Sequence, residues 1–344
     1  MKKVIRRMLT LLAVVTLAAS AAAEEDFHDR AEVLELAEAK GGKLVELTAE
    51  EDPMLGPKNN GYHFKKGEKS PSSYVDPSIS VNIGTGRIYK TNYMYARVKI
   101  ASPYQIRTMT AAKTLQEKST VLGTLLAKRV KAVVAVNGVL EADVTSESDW
   151  ARVDGPVILQ GEMLRPGAKT SKEKIEKWKE EEGFDTLVID TRGDLRVMEA
   201  KTWGEIMEEI ESLETGAVNV FSFGPALVLN GEARYGYENR QMSSNRPAQR
   251  MAICQTGPLE YLLISTEGPE DPGSTGLKLD QLVELLEKEF PDVITAYNLD
   301  GGSSSTLVFR KGSEKWAKIN CPKSGKKRGL RDIIYFASAW KPSK

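Results

Sequence analysis

From Tyr74 onward the chain alternates apolar and polar residues with a period of two. Ser78-Ile79-Ser80-Val81-Asn82-Ile83 and Tyr93-Met94-Tyr95-Ala96-Arg97-Val98-Lys99-Ile100 both carry this pattern. A period of two places every second side chain on one face, as a half-buried strand requires and a helix forbids. A contrasting run, Ala132-Val133-Val134-Ala135-Val136, is continuously apolar, as in a strand covered on both faces, and it delivers Asn137-Gly138 at its end. Further strands are predicted at 157–159, 186–190, 195–199, 218–221, 226–229, 251–255 and 261–265.

Helical spacing is confined to a few stretches. Leu115 to Ala132, Lys172 to Glu181, Trp203 to Leu213 and Leu279 to Phe290 have it, and Pro291 ends the last. A shorter helix is predicted at Arg30 to Lys40. Strands and helices do not alternate strictly, so the expected class is α+β: a mixed β-sheet core with a few packed helices, in one catalytic domain.

The N-terminus reads as an export signal. Lys2, Lys3, Arg6 and Arg7 precede an apolar run from Met8 to Ala19, then Ser20-Ala21-Ala22-Ala23 and three acidic residues. That run is about 12 residues, whereas a membrane-spanning helix needs roughly 20. Cleavage is predicted after Ala23, leaving no stable membrane span and a protein that is secreted or held at the cell-envelope exterior. Residues 24–74 read as an appendage or linker, and residues 75–340 as the catalytic domain.

Charge and side-chain usage then remove whole classes of function. Losing four of the 48 Lys and Arg leaves 44 against 48 Asp and Glu, a net charge of −4, which gives no support to nucleic-acid binding. His28 and His63 are the two histidines, and neither lies in a candidate motif. Serine-histidine hydrolysis, cysteine-histidine proteolysis and His-ligated zinc chemistry all need imidazole in the site. Catalysis must lean on carboxylates, arginines, hydroxyls and backbone amides, and no metal or other cofactor is assigned. Cys254 and Cys321 either form a single bridge or remain two buried thiols.

The segment richest in chemistry is Asn298-Leu299-Asp300-Gly301-Gly302-Ser303-Ser304-Ser305-Thr306. Gly301 and Gly302 permit positive φ and close backbone approach. Successive amides here can form a nest for an anion, the serines add donors, and Asp300 supplies a carboxylate. Read alone, the same segment also fits an ordinary hairpin connection.

Asn298-Leu299-Asp300-Gly301-Gly302 followed by Ser304-Ser305-Thr306 resembles the signature of the phosphodiester glycosidase family. Ala135-Val136-Asn137-Gly138, Phe223-Gly224-Pro225-Ala226-Leu227-Val228, Arg250-Met251-Ala252-Ile253, Ile319-Asn320-Cys321-Pro322 and Arg328 to Phe336 resemble further elements of that family, in order, from about residue 75 to 338. The chain departs from the family pattern in three places. Val139-Leu140-Glu141 follows Asn137-Gly138 where aromatics are common, Ser303 stands where Gly is usual, and Glu267 where Asp is frequent.

The resemblance implies an exported bacterial hydrolase that cleaves a sugar from an anomeric phosphodiester, with a phosphorylated carbohydrate as its partner. Asp300 and Glu267 are the candidate catalytic carboxylates. Asn137, Gly138, Arg250, Asn298, Gly301, Gly302, Ser303, Ser304, Ser305, Thr306 and Arg328 are the candidate binding residues. Each has a plainer reading beside it: a strand-end salt bridge for Arg250, a solvated basic run for Arg328, a strand-end turn for Asn137, a loop carboxylate for Glu267. Two rival functions are a non-catalytic binder of phosphorylated cell-wall or exopolysaccharide glycans, and a metal-dependent phosphodiesterase built on Asp190, Asp194 and Asp300.

Overall fold

The computed structural model describes residues 42–44, 62–63, 72–112, 119–139, 155–165, 170–199, 201–236, 245–312, 314–325 and 328–342. The predicted signal segment and the helix at Arg30 to Lys40 lie outside them.

Three antiparallel sheets share one core. The largest has nine strands, in the order Glu232–Ala233, Ala226–Leu229, Thr295–Leu299, Met251–Gly257, Glu260–Thr266, Thr91–Ile100, Ile79–Ile88, Ser73–Asp76 and Tyr62–His63. A central five-stranded sheet runs Lys315–Lys318, Leu307–Gly312, Val134–Asn137, Asp332–Phe336 and Ile106–Thr110. An outer five-stranded sheet runs Glu162–Arg165, Val157–Leu159, Ala217–Ser222, Thr186–Asp190 and Leu195–Met198. Two short ribbons pair Gly42–Leu44 with Trp340–Pro342 and Val121–Leu122 with Gly329–Leu330.

Each sheet turns one face to the shared core, where Val81, Val98, Met251, Leu263 and Leu299 meet Val134, Val136, Leu307, Ile334, Leu187 and Phe221. The opposite face of each sheet is covered by one helix. Helix α1 (Gly123–Arg129) packs Leu126 and Ala127 with Ala135, Val308 and Ile333 of the central sheet. Between α1 and the next covering helix comes α2 (Lys172–Lys179), which buries no residue but sets Trp178 edge-on against Trp203 at 4.9 Å. Helix α3 (Trp203–Ser212) buries Ile206 and Ile210 against Val188 and Val220 of the outer sheet. Its first turn is closed by a reciprocal cap between Thr202 and Glu205. Helix α4 (Leu279–Glu289) buries Leu279, Leu282, Val283, Leu285 and Leu286 against the nine-stranded sheet.

The class is α+β as expected, with sheet dominating. One expectation is corrected: the sheets are not mixed, because every strand pairing among the described residues is antiparallel. Each covering helix does return the chain to its own sheet in the same direction, but one strand over, so that an antiparallel strand lies between the two that it joins. The apolar run at 132–136 is buried on both faces for another reason. Val134 and Val136 enter the shared core while Ala132 and Ala135 lie under α1. The helix predicted from Leu115 is also shorter, since Val121 and Leu122 form a strand and α1 starts at Gly123, while residues 113–118 lie outside the described set.

Candidate active site

The turn that holds Asp300 is the point where the chain leaves one sheet for another. Strand Thr295–Leu299 belongs to the nine-stranded sheet, and Leu307–Gly312, which follows the turn, belongs to the central one. Asn137 closes the turn from the neighbouring central strand. It is buried, its Nδ2 donates to the carbonyls of Gly138 (3.0 Å) and Asp300 (2.8 Å), and its Oδ1 accepts from the Thr306 amide (3.0 Å). Both ends of the Asn137 carboxamide are thus committed to backbone, the geometry of a strand-end clasp.

The two glycines serve different needs. Gly302 has φ +55° with open space where a Cβ would sit, so its backbone conformation is what selects glycine. A Cβ on Gly301 would lie 2.6 Å from the Gln249 carbonyl, so close approach of two backbones selects glycine there.

The turn is not an open nest of amides. Gly302–Ser304 forms a 3₁₀ turn in which the Gly302 amide donates to Gln249 O (2.9 Å), Ser304 to Gly301 O (3.1 Å) and Ser305 to Gly302 O (3.2 Å). Those three donors are spent inside the protein, so an anion at this turn would meet its side chains and its remaining amides. Ser304 points its hydroxyl to Arg328, whose Nε donates to Oγ at 3.2 Å. Ser303 is exposed, whereas Ser305 and Thr306 are buried.

Asn137, Gly138, Asp300, Ser304 and Arg328 line one small recess, with room for about one water, that opens to solvent. Its remaining wall, residues 329–332, lies in the Arg328 to Phe336 segment that resembles a family element, but none of these four is among the candidate site residues above. Arg331 and Asp332 are both buried there. Burial pulls the Arg331 guanidinium below its ordinary pKa, and the neighbouring Asp332 charge opposes that shift. The Asp332 Oδ2 accepts from the Val139 amide at 3.2 Å, and its carbonyl accepts from the Gly138 amide at 3.2 Å. The available signal was an Arg-Asp pair directly before an all-apolar strand, hidden by the basic run that precedes it.

Other predicted residues stand at the same sheet edge but do not reach the cavity. Arg250 alternates with Ala252 and Cys254 on the face under α4, so its guanidinium donates to the carbonyls of Leu277 (2.9 Å, from Nε) and Arg246 (2.7 Å, from Nη2). Burial lowers its pKa to about 10. The Glu267 Oε2 accepts from Asn92 Nδ2 (2.8 Å), in strand Thr91–Ile100, and from Ser274 Oγ (2.6 Å), in the loop that follows Glu267. Asn298 donates to the Gly224 carbonyl at 2.8 Å and holds the segment that follows the outer sheet.

The three aspartates of the metal-dependent reading do not gather. Asp190 is consumed in the outer sheet, where its oxygens accept from the Arg192 and Asp194 amides, Arg196 Nε and Thr215 Oγ1. Asp194 accepts from Gln255. No group of three His, Cys, Asp or Glu among the described residues is placed to hold a metal ion. Cys254 and Cys321 are separate, buried free thiols, so the bridge alternative falls.

A family model for phosphodiester glycosidases matches residues 130–337, which include every residue lining the cavity. This chain belongs to the phosphodiester glycosidase family. A search of curated proteins finds no match. Among solved structures, the chain is similar to the catalytic domain of zebrafish N-acetylglucosamine-1-phosphodiester alpha-N-acetylglucosaminidase, auto-inhibited by its pro-peptide. Identity there is 17%, over 91% of this chain and 94% of that one, with a TM-score of 0.53. It also resembles a hypothetical protein from Synechocystis at 14% identity, over 78% of this chain and 64% of that one, with a TM-score of 0.46. The zebrafish likeness concerns the fold; membership of the phosphodiester glycosidase family rests on the sequence match.

Proposed function

We propose that this chain is a hydrolase that releases a sugar from an anomeric phosphodiester, acting on a phosphorylated glycan of the cell envelope or its surroundings. One observation carries the reading. Asp300 and Ser304, from one turn, meet Arg328, from the segment that precedes strand Asp332–Phe336, at one cavity: a carboxylate, a hydroxyl and an arginine, with no histidine among the described residues that line it. Phosphate leaves readily once its charge is neutralised, so the guanidinium of Arg328 and the Ser304 hydroxyl serve the leaving group. Asp300 serves the anomeric carbon, either activating water or attacking directly.

Export fits the same picture. The basic and apolar N-terminus with Ala23 at its end reads as a cleavable signal, and no helix among the described residues is long and apolar enough to cross a membrane.

The test is turnover of a methyl phosphodiester of N-acetylglucosamine 1-phosphate, with Asp300→Asn alongside. Removing a group that takes part in proton transfer or attack lowers kcat by about 10²- to 10⁴-fold. An Asp300→Asn protein as active as wild type would remove Asp300 from the mechanism. Saturable binding of the diester with no product over long incubation would instead make the protein a glycan binder.

A further inference from the structure

Asp332 is the acidic residue of the cavity wall that nothing in the motif reading assigns. Its carboxylate lies against the Cα of Gly138, so that a Cβ there would sit 1.8 Å from Oδ2. The same oxygen takes the Val139 amide, and the Asp332 carbonyl takes the Gly138 amide. Gly138 and Val139 are thus held directly, while the preceding Asn137, paired with Ile333, holds the Asp300 carbonyl and the Thr306 amide. A short relay of contacts joins Asp332, in the central sheet, to Asp300, at the end of the nine-stranded one.

Resting on the hydrolytic reading of this cavity, we propose that Asp332 is a positioning residue: its carboxylate fixes the Asn137–Val139 segment and, through Asn137, the placement of Asp300. Misplacing a reacting group by about 1 Å costs on the order of 10²-fold in rate. The signature is therefore a loss in kcat and not in KM, because Asp332 is 2% exposed and the substrate does not need to touch it.

The experiment measures kcat and KM for the methyl phosphodiester of N-acetylglucosamine 1-phosphate in the full chain. Asp332→Ala is expected to lower kcat about 100-fold with KM within about threefold. Asp332→Asn keeps an oxygen for the Val139 amide, keeps the shape, and is expected to recover at least part of that loss. It also serves as the readable variant should the alanine form not fold. Gly138→Ala pushes the carboxylate aside from the other direction and is expected to show the same loss in kcat. Combining it with Asp332→Ala should then cost much less than the product of the two single effects.

A kcat for Asp332→Ala within about threefold of wild type, a loss confined to KM, or independent effects at 138 and 332 would overturn the positioning role while leaving the hydrolytic reading intact. A wild-type protein that turns over no sugar phosphodiester fails one step earlier and takes both down.

Discussion

Asn137 grips Asp300 by its backbone carbonyl, beside the cavity that both residues line. Nδ2 reaches the Asp300 carbonyl at 2.8 Å while Oδ1 receives the Thr306 amide at 3.0 Å, so a single side chain spans the turn from one end to the other. The catalytic candidate is therefore held by a neighbour whose carboxamide is committed to backbone.

Asn137→Ala strips a partner from three backbone groups, the Gly138 and Asp300 carbonyls and the Thr306 amide. Each unsatisfied group costs about 1–3 kcal/mol, so unfolding in urea should show a loss of about 3 kcal/mol. Asn137→Asp should be worse at neutral pH, because an acceptor then faces two carbonyl oxygens. A change below about 1 kcal/mol in both variants would show that the clasp is dispensable.

Gly301→Ala and Gly302→Ala separate steric from conformational demand. At Gly302 the only penalty is a left-handed backbone, about 1–2 kcal/mol. At Gly301 the new Cβ meets the Gln249 carbonyl at 2.6 Å, so the turn must move. Gly301→Ala should reduce turnover more than Gly302→Ala; the reverse order would contradict the packing of the turn on Gln249.

Glu267→Gln should reduce kcat at least about tenfold less than Asp300→Asn, since the Glu267 Oε2 is occupied by Asn92 and Ser274. Its main effect should be on thermal stability, through the loop that carries Ser274. Equal losses in kcat for the two variants would restore Glu267 as a partner in the reaction.

Burial pushes the Cys321 thiol up to about 12. A thiol raised in the fold contributes stability that is complete below its unfolded value near 9 and declines as pH climbs through the folded value. Stability measured between about pH 9 and 12 should therefore fall less steeply in Cys321→Ser than in wild type. Native protein should also resist maleimide until it unfolds. Fast labelling of both thiols at neutral pH would refute their burial.

Most of the scaffold was legible in the sequence because local pattern and tertiary demand agree. Strands 157–159 and 186–190 and the helices beginning at Lys172, Trp203 and Leu279 occur where periodicity and caps place them. The continuous apolar run at 132–136 was legible as doubly covered but not as antiparallel, because burial on two faces does not encode the direction of a neighbour. The site was legible where glycines and polar residues stand together, at 137–138 and 298–306. It was illegible at Arg331 and Asp332, whose importance comes from a strand register that brings Ile333 opposite Asn137. Arg250 shows the converse. Its place at the sheet edge was readable, but the parity that turns its side chain under α4 depends on which face the helix covers.

Because the Asp300 turn passes from the nine-stranded sheet to the central one, the cavity is a seam whose two lips belong to different sheets. A ligand that grips both lips would act as a molecular staple, and by mass action it would raise the melting temperature in step with its concentration. Thermal shift in the presence of candidate sugar phosphates would thus sort ligands by how well they bridge the seam, before any turnover is measured.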